Sequence, residues 1–189
     1  MIELEVFDVV VRSSTRDGQQ ISNGVILLRE KGGARILPVW VGEAEATALA
    51  LELQGVRFPR PLTYHLAAAL LDAAEIKVRS ATINQLIGDT FYAKVAIERA
   101  DGVAEVDARP SDAINLALRV NAPLFAEEEV LANCPERIKV TGAGRTGSAA
   151  VVQRFEELHR LANEAIKDEA PTAHEAWREL GIELLQDDS

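Results

Sequence analysis

The chain has 189 residues, 48% of them hydrophobic and 26% charged, with a formal net charge of −10. One cysteine, Cys134, excludes an intramolecular disulfide framework and a cysteine-based zinc cluster. The acidic balance argues against a broad basic surface for nucleic acid, because neutralisation of phosphates by Lys and Arg supplies most non-specific affinity.

In chain order, Met1-Ile2-Glu3-Leu4-Glu5 lacks the basic region of a signal peptide. No apolar run nears the roughly 18 residues of a membrane span, so the expectation is a cytoplasmic protein with no membrane partner. Residues 2–12 read as a strand, with Val9, Val10 and Val11 suited to burial on both faces. Residues 13–20 read as a polar loop. Val25–Leu28 and Ile36–Val41 form a hairpin across Lys31-Gly32-Gly33. Gly42 opens an alanine- and leucine-rich helix that Gly55 stops. Thr63 is placed as the N-cap of a second helix running to about Ala74. The order then returns. Strands are expected over Ile76–Leu86, Phe91–Glu98 and Val103–Ala108, and a helix over Ser111–Val120. Sliding the first half by 67 positions sets Glu45 on Asp112 and Val39, Ala46, Leu49, Ala50 and Leu51 on identical residues.

The expected fold is therefore α+β, with duplicated β-β-β-α units in one compact core and a C-terminal helical tail. The domain reading is 1–138 for the core, 139–150 for a flexible linker and 151–189 for a helical appendage. The appendage carries 10 acidic and 4 basic residues.

The densest polar cluster is Glu105 to Asp112, where a strand ends and a helix begins. In one reading it is structural: Ser111 and Asp112 cap the helix, and Arg109 pairs with Asp107 or Asp112. In the other, Glu45 and Asp112 lie at matching helix starts and join Asp107 as oxygen ligands for a divalent cation, with Glu43 nearby as a base. Arg60-Pro61-Leu62-Thr63-Tyr64-His65 is either an ordinary helix start or a phosphate-facing arginine beside a helix N-terminus. There is no P-loop, dinucleotide glycine fingerprint, HExxH or nucleophile elbow.

Leu37 to Ala46, Arg60-Pro61-Leu62-Thr63 and Asp107-Ala108-Arg109-Pro110-Ser111-Asp112-Ala113-Ile114 resemble, in this order, three signature stretches of bifunctional nuclease domain proteins. The resemblance spans about residues 1–135. It implies DNase and RNase activity, an internally duplicated α+β fold, and a homo-oligomer, commonly a dimer. Bacterial members often carry His-Asp after Arg-Pro-x-Thr; Tyr64 and His65 stand there in this chain. The expectation drawn from residues and resemblance together is a hydrolase of phosphodiester bonds in DNA and RNA, assisted by Mg²⁺ or Mn²⁺. Its catalytic candidates are Asp107, Arg109, Asp112, Glu45 and Glu43, with Asp107, Asp112 and Glu45 as metal ligands. Arg60, Thr63, His65 and Ser111 are its substrate-binding candidates. The alternative is a non-catalytic dimeric module for a protein or small ligand, with Trp40 and apolar helix faces at the subunit interface.

Overall fold

The valine run at Val9–Val11 pairs with Ile26, Val25 and Gly24 of a neighbouring strand, and all three residues are buried. A computed structural model describes residues 1–16, 19–132 and 134, together with 145–146 and 153, with side chains described outside 12–23 and 145–146. Within it, β1 (Ile2–Arg16), β2 (Gln19–Glu30) and β3 (Ile36–Gly42) form an antiparallel meander, followed by α1 (Glu43–Leu53) and α2 (Thr63–Ala73). A second meander of β4 (Lys77–Ile87), β5 (Thr90–Arg99) and β6 (Gly102–Ala108) leads into α3 (Pro110–Val120). Then come β7 (Leu124–Ala126), a single turn α4 (Glu128–Leu131), and β8 (Arg145–Thr146), which pairs with β1.

The expected α+β class is what the structure has: one mixed sheet with helices packed on it. The strand order is β3-β2-β1-β7-β4-β5-β6. Three residues of β7 join the two meanders, pairing antiparallel with β1 and parallel with β4. The order of three strands and a helix occurs twice, with α2 inserted between the sets. These elements belong to one compact unit, Met1–Val152. The expected linker and helical appendage lie outside the described residues, apart from β8 and residue 153.

Two local expectations are corrected. The polar stretch 13–20 is not a loop throughout: β1 continues to Arg16 and β2 starts at Gln19. Backbone ladder bonds, which require no apolar side chain, carry the pairing that far. Thr63 is the first helical residue and not the cap, because extended Leu62 occupies the N-cap position and no side chain caps it. The expected stop at Gly55 is where α1 ends. Gly55 and Asn121 adopt left-handed φ of 64° and 55° at the ends of α1 and α3.

The core gathers Ile26, Leu28, Leu37, Val39, Leu49, Ile83, Ile114 and Leu131, all fully buried. Helix α1 lies unusually close to β2. A Cβ built on Gly24 would collide with the Cβ of Ala46, so glycine and alanine together set the depth at which α1 docks. Gly24→Val is expected to lower stability by about 1–3 kcal/mol through overpacking, read as a shifted midpoint in denaturant unfolding. An unchanged midpoint would show that α1 can retreat at no cost.

Candidate functional site

Helices α1 and α3 run side by side in the same direction, and charged pairs join them at both ends. At the C-terminal ends, Arg119 Nη1 donates to Glu52 Oε1 at 3.1 Å. At the N-terminal ends, Arg109 reaches across, and its Nη2 lies 2.9 Å from Glu45 Oε1. Arg109 also grips Asp112 on its own helix, with Nε 2.7 Å from Oδ2 and Nη2 3.1 Å from Oδ1. From α2, the Tyr64 hydroxyl donates to Asp112 Oδ1 at 2.8 Å. Three helix starts thus meet at one carboxylate–guanidinium cluster.

Two further groups hold this cluster in register. Asn115 is buried at 3% exposure. Its Nδ2 donates to the Glu45 carbonyl at 3.2 Å and to the Ser111 carbonyl at 2.9 Å, fastening the first turns of α1 and α3 together. Gly42 has an extended backbone, so its role is space: a Cβ there would strike the Glu45 carboxylate, which folds back over it. The local sequence explains the turns. Pro110 suits the first helical position, where no N–H is needed. Glu43, Glu45 and Asp112 lie in first turns, where the helix dipole favours negative charge.

The electrostatics follow from these contacts. The Arg109 guanidinium holds the Asp112 carboxyl below its ordinary range, against the opposing effect of burial, and the Tyr64 hydrogen bond adds to the lowering. Burial and that same hydrogen bond push the Tyr64 phenol up. Bonding to Asp112 and then to Glu45 raises Arg109 further above neutrality.

Of the expected site residues, the structure brings together Glu45, Arg109 and Asp112. Glu43 is exposed at the first position of α1. Asp107 is set apart. It pairs in register with Lys94, while neighbouring Val106 pairs with Val95. Ala93 and Val95 face the buried side of the sheet, so Lys94 and Asp107 share the opposite face. Ser111 is buried in the first turn of α3. Thr63 and Arg60 are exposed at and before the start of α2. His65 turns towards Glu52, with Nε2 3.6 Å from Oε2 and its buried Nδ1 without a described partner. The sequence reading missed Tyr64 as a ligand of Asp112. It also missed Asn115, whose signal was an amide inside the apolar run Ala113-Ile114-Asn115-Leu116-Ala117.

The donor set bears on a divalent cation. Asp107 faces away from Glu45 and Asp112, and the guanidinium of Arg109 lies between those two. Among the described residues, no group of three or more His, Cys, Asp or Glu is arranged to hold a metal ion. The expected trio Asp107, Asp112 and Glu45 therefore does not fit a common cation.

Residues 26–139 match the family model of the bifunctional nuclease domain. The chain belongs to the bifunctional nuclease domain family. Arg109, Asp112, Glu45 and Tyr64 all fall within the matched segment. The domain is 47% identical over 108 residues to an uncharacterized protein of Mycobacterium tuberculosis, covering 57% of this chain and 64% of that protein. It is 27% identical over 114 residues to Bifunctional nuclease 1 of Oryza sativa subsp. japonica, covering 59% of this chain and 34% of the rice protein. Bifunctional nuclease 1 of Arabidopsis thaliana is also 27% identical, over 103 residues that cover 53% of this chain and 32% of the plant protein. The chain thus spans less than two thirds of the curated relatives it matches. No described helix is long and apolar enough to cross a membrane.

The cluster predicts a pH dependence of stability. Since Asp112 has a folded pKa below its ordinary 3.8, its pairing stabilises the fold fully above that value and fades as pH falls through the folded pKa. Asp112→Asn should cost about 0.5–1 kcal/mol at neutral pH, the size that solvent screening leaves to a partly exposed pair. In thermal melts across the acid range, the gap between variant and wild type should close below pH 3.8. A gap that widens on acidification would contradict the pairing.

Proposed function

We propose that this bifunctional nuclease domain hydrolyses phosphodiester bonds of DNA and RNA at the cluster of Glu45, Arg109 and Asp112. The observation that carries the reading is the convergence of these groups at adjoining helix starts, inside the segment that matches the family. A nuclease acting on DNA as well as RNA cannot depend on a 2′-hydroxyl, and the Tyr64 phenol, pushed up by burial, is a poor nucleophile, which leaves water as the proposed one. The guanidinium of Arg109 is the group suited to the charge that grows on the phosphoryl oxygens. Asp112, held low in pKa and bonded by Tyr64, is a poor base and a good orienting anion for Arg109. Glu43 and Glu45 are the carboxylates left to accept a proton from water. Arg57 and Arg60, exposed in the loop before α2, have no ion-pair partner among the described residues and suit flanking phosphates.

Assistance by Mg²⁺ or Mn²⁺ belongs to the same proposal, although the Arg109 guanidinium stands between Glu45 and Asp112 and these two carboxylates alone make no cation site as they lie. A bound cation would supply charge neutralisation and a more acidic water. No step above depends on it. The matched element order and the 67-residue offset that sets Glu45 on Asp112 support descent of the two strand sets from one duplicated unit. The cytoplasm is the proposed location.

The test is cleavage of single-stranded and duplex DNA and RNA by metal-stripped protein, with and without Mg²⁺ or Mn²⁺ restored. Arg109→Ala and Asp112→Asn are expected to lower the rate at least tenfold, with most of the thermal stability kept. A loss in Asp107→Asn as large as in Asp112→Asn would move the chemistry to the other face of the sheet and overturn the assignment. Activity that survives every substitution would mark a contaminant.

The non-catalytic dimeric module remains a second reading because α2 buries none of its own residues and exposes Leu66 and Leu70, and because Trp40 is 65% exposed. A homodimer through these surfaces is compatible with either reading. Leu66→Glu with Leu70→Glu should shift sedimentation from dimer to monomer; an unchanged profile would remove α2 from the interface.

A further inference from the structure

Arg109 is the most exposed member of its cluster. Its side chain is 66% exposed, against 19% for Glu45 and 36% for Asp112. Nε and Nη2 are engaged inward on the two carboxylates, while Nη1 has no partner among the described residues. Two carboxylates against one guanidinium leave the cluster with a net negative charge, in a chain that is itself at −10. A phosphate arriving from solvent therefore meets a net negative site whose guanidinium has two of its three nitrogens engaged by carboxylates.

We propose that Arg109 is a displaceable latch: Glu45 and Asp112 hold its guanidinium in the resting protein, and it binds a nucleic-acid phosphate only by exchanging them for phosphate oxygens. This rests on Arg109 being the phosphate-binding group of the proposed nuclease site, and it adds how that site is kept closed to weak anions. Three features favour exchange over a fixed bridge. The guanidinium fork matches carboxylate and phosphate equally well. Arg109 is the N-cap residue of α3, in extended conformation outside the helix, so its side chain is not confined by helix packing. The carboxylates keep support when it leaves: Asp112 retains the Tyr64 hydroxyl, and Glu45 stays in the first turn of α1, where negative charge is favoured.

The consequence runs against simple charge complementarity at a catalytic site, because removing a proposed catalytic carboxylate tightens binding. The probe is a short fluorescein-labelled phosphorothioate single strand, resistant to cleavage, titrated by fluorescence anisotropy in chelator at fixed salt. Glu45→Gln should bind roughly three- to fivefold more tightly than wild type, the release expected from one screened ion pair. Glu129→Gln, exposed on α4, removes the same formal charge away from the cluster and should change affinity far less. Gly42→Ala changes no charge but pushes the Glu45 carboxylate aside, so it should also tighten binding. Arg109→Ala should abolish the gain when combined with Glu45→Gln. The latch is overturned if Glu45→Gln and Gly42→Ala bind no better than Glu129→Gln, or if the gain survives loss of Arg109. Thermal melts of each variant confirm folding, and the two Glu45-directed variants act by different means, so failure of one to fold leaves the other decisive. Cleavage is scored separately. Tighter binding without any cleavage, in wild type or variants, would sink the nuclease reading and keep the latch. Wild-type cleavage with no gain in binding would do the reverse, and neither cleavage nor binding by any variant would sink both.

Discussion

Arg109 stands at the turn from β6 into α3, and its guanidinium reaches the first turn of α1, 64 positions earlier in the chain. That contact gives the polar site its non-local character. Without it, Asp112 would have an arginine three residues away and Glu45 would be one more acidic residue at a helix start, each explained by local geometry. With it, carboxylates from two helices face one cation, and a third helix adds the Tyr64 hydroxyl.

The arrangement persists because the surrounding structure leaves α1 and α3 little freedom to slide. Arg119 and Glu52 join their far ends. Asn115 bonds both near ends from a buried position, where an amide left without partners would be costly. Ala46 seated against Gly24 fixes how far α1 stands from β2. Apolar packing sets the distance between layers, and directional polar bonds set the position along the helix axes. Both are needed to hold side chains within hydrogen-bond reach.

The sequence was a good guide wherever one short window held the cause. The valine run, the hairpin glycines, the left-handed stop at Gly55, and the order of strands and helices all have local causes. It was a poorer guide where the cause was distant. Nothing near Tyr64 shows that its hydroxyl meets Asp112, and nothing near Glu45 shows that the intervening space holds a guanidinium in place of a metal. Period-two alternation sets Asp107 opposite to its immediate strand neighbours. It could not say which face of the sheet the helices cover, and that decided the separation of Asp107 from Asp112. The three-residue β7 was invisible for a similar reason, since its stability comes from two neighbours found far away in the chain.

That short strand has a consequence for how the domain tolerates change. In the path from β3 to β6, the two meanders are bridged by Leu124–Ala126 alone, which pairs with Ile2–Leu4 on one side and Ala81–Ile83 on the other. It works as a spacer of fixed gauge, setting how far β1 stands from β4. The helices anchored to those meanders inherit that gauge. An inserted residue between Asn121 and Pro123 would be absorbed easily by most surface connections. Here the turn is tight, because the Ala122 N–H bonds the Ala117 carbonyl and the Pro123 carbonyl accepts from Ala81, so added chain has to bulge outward for the seam to keep its register.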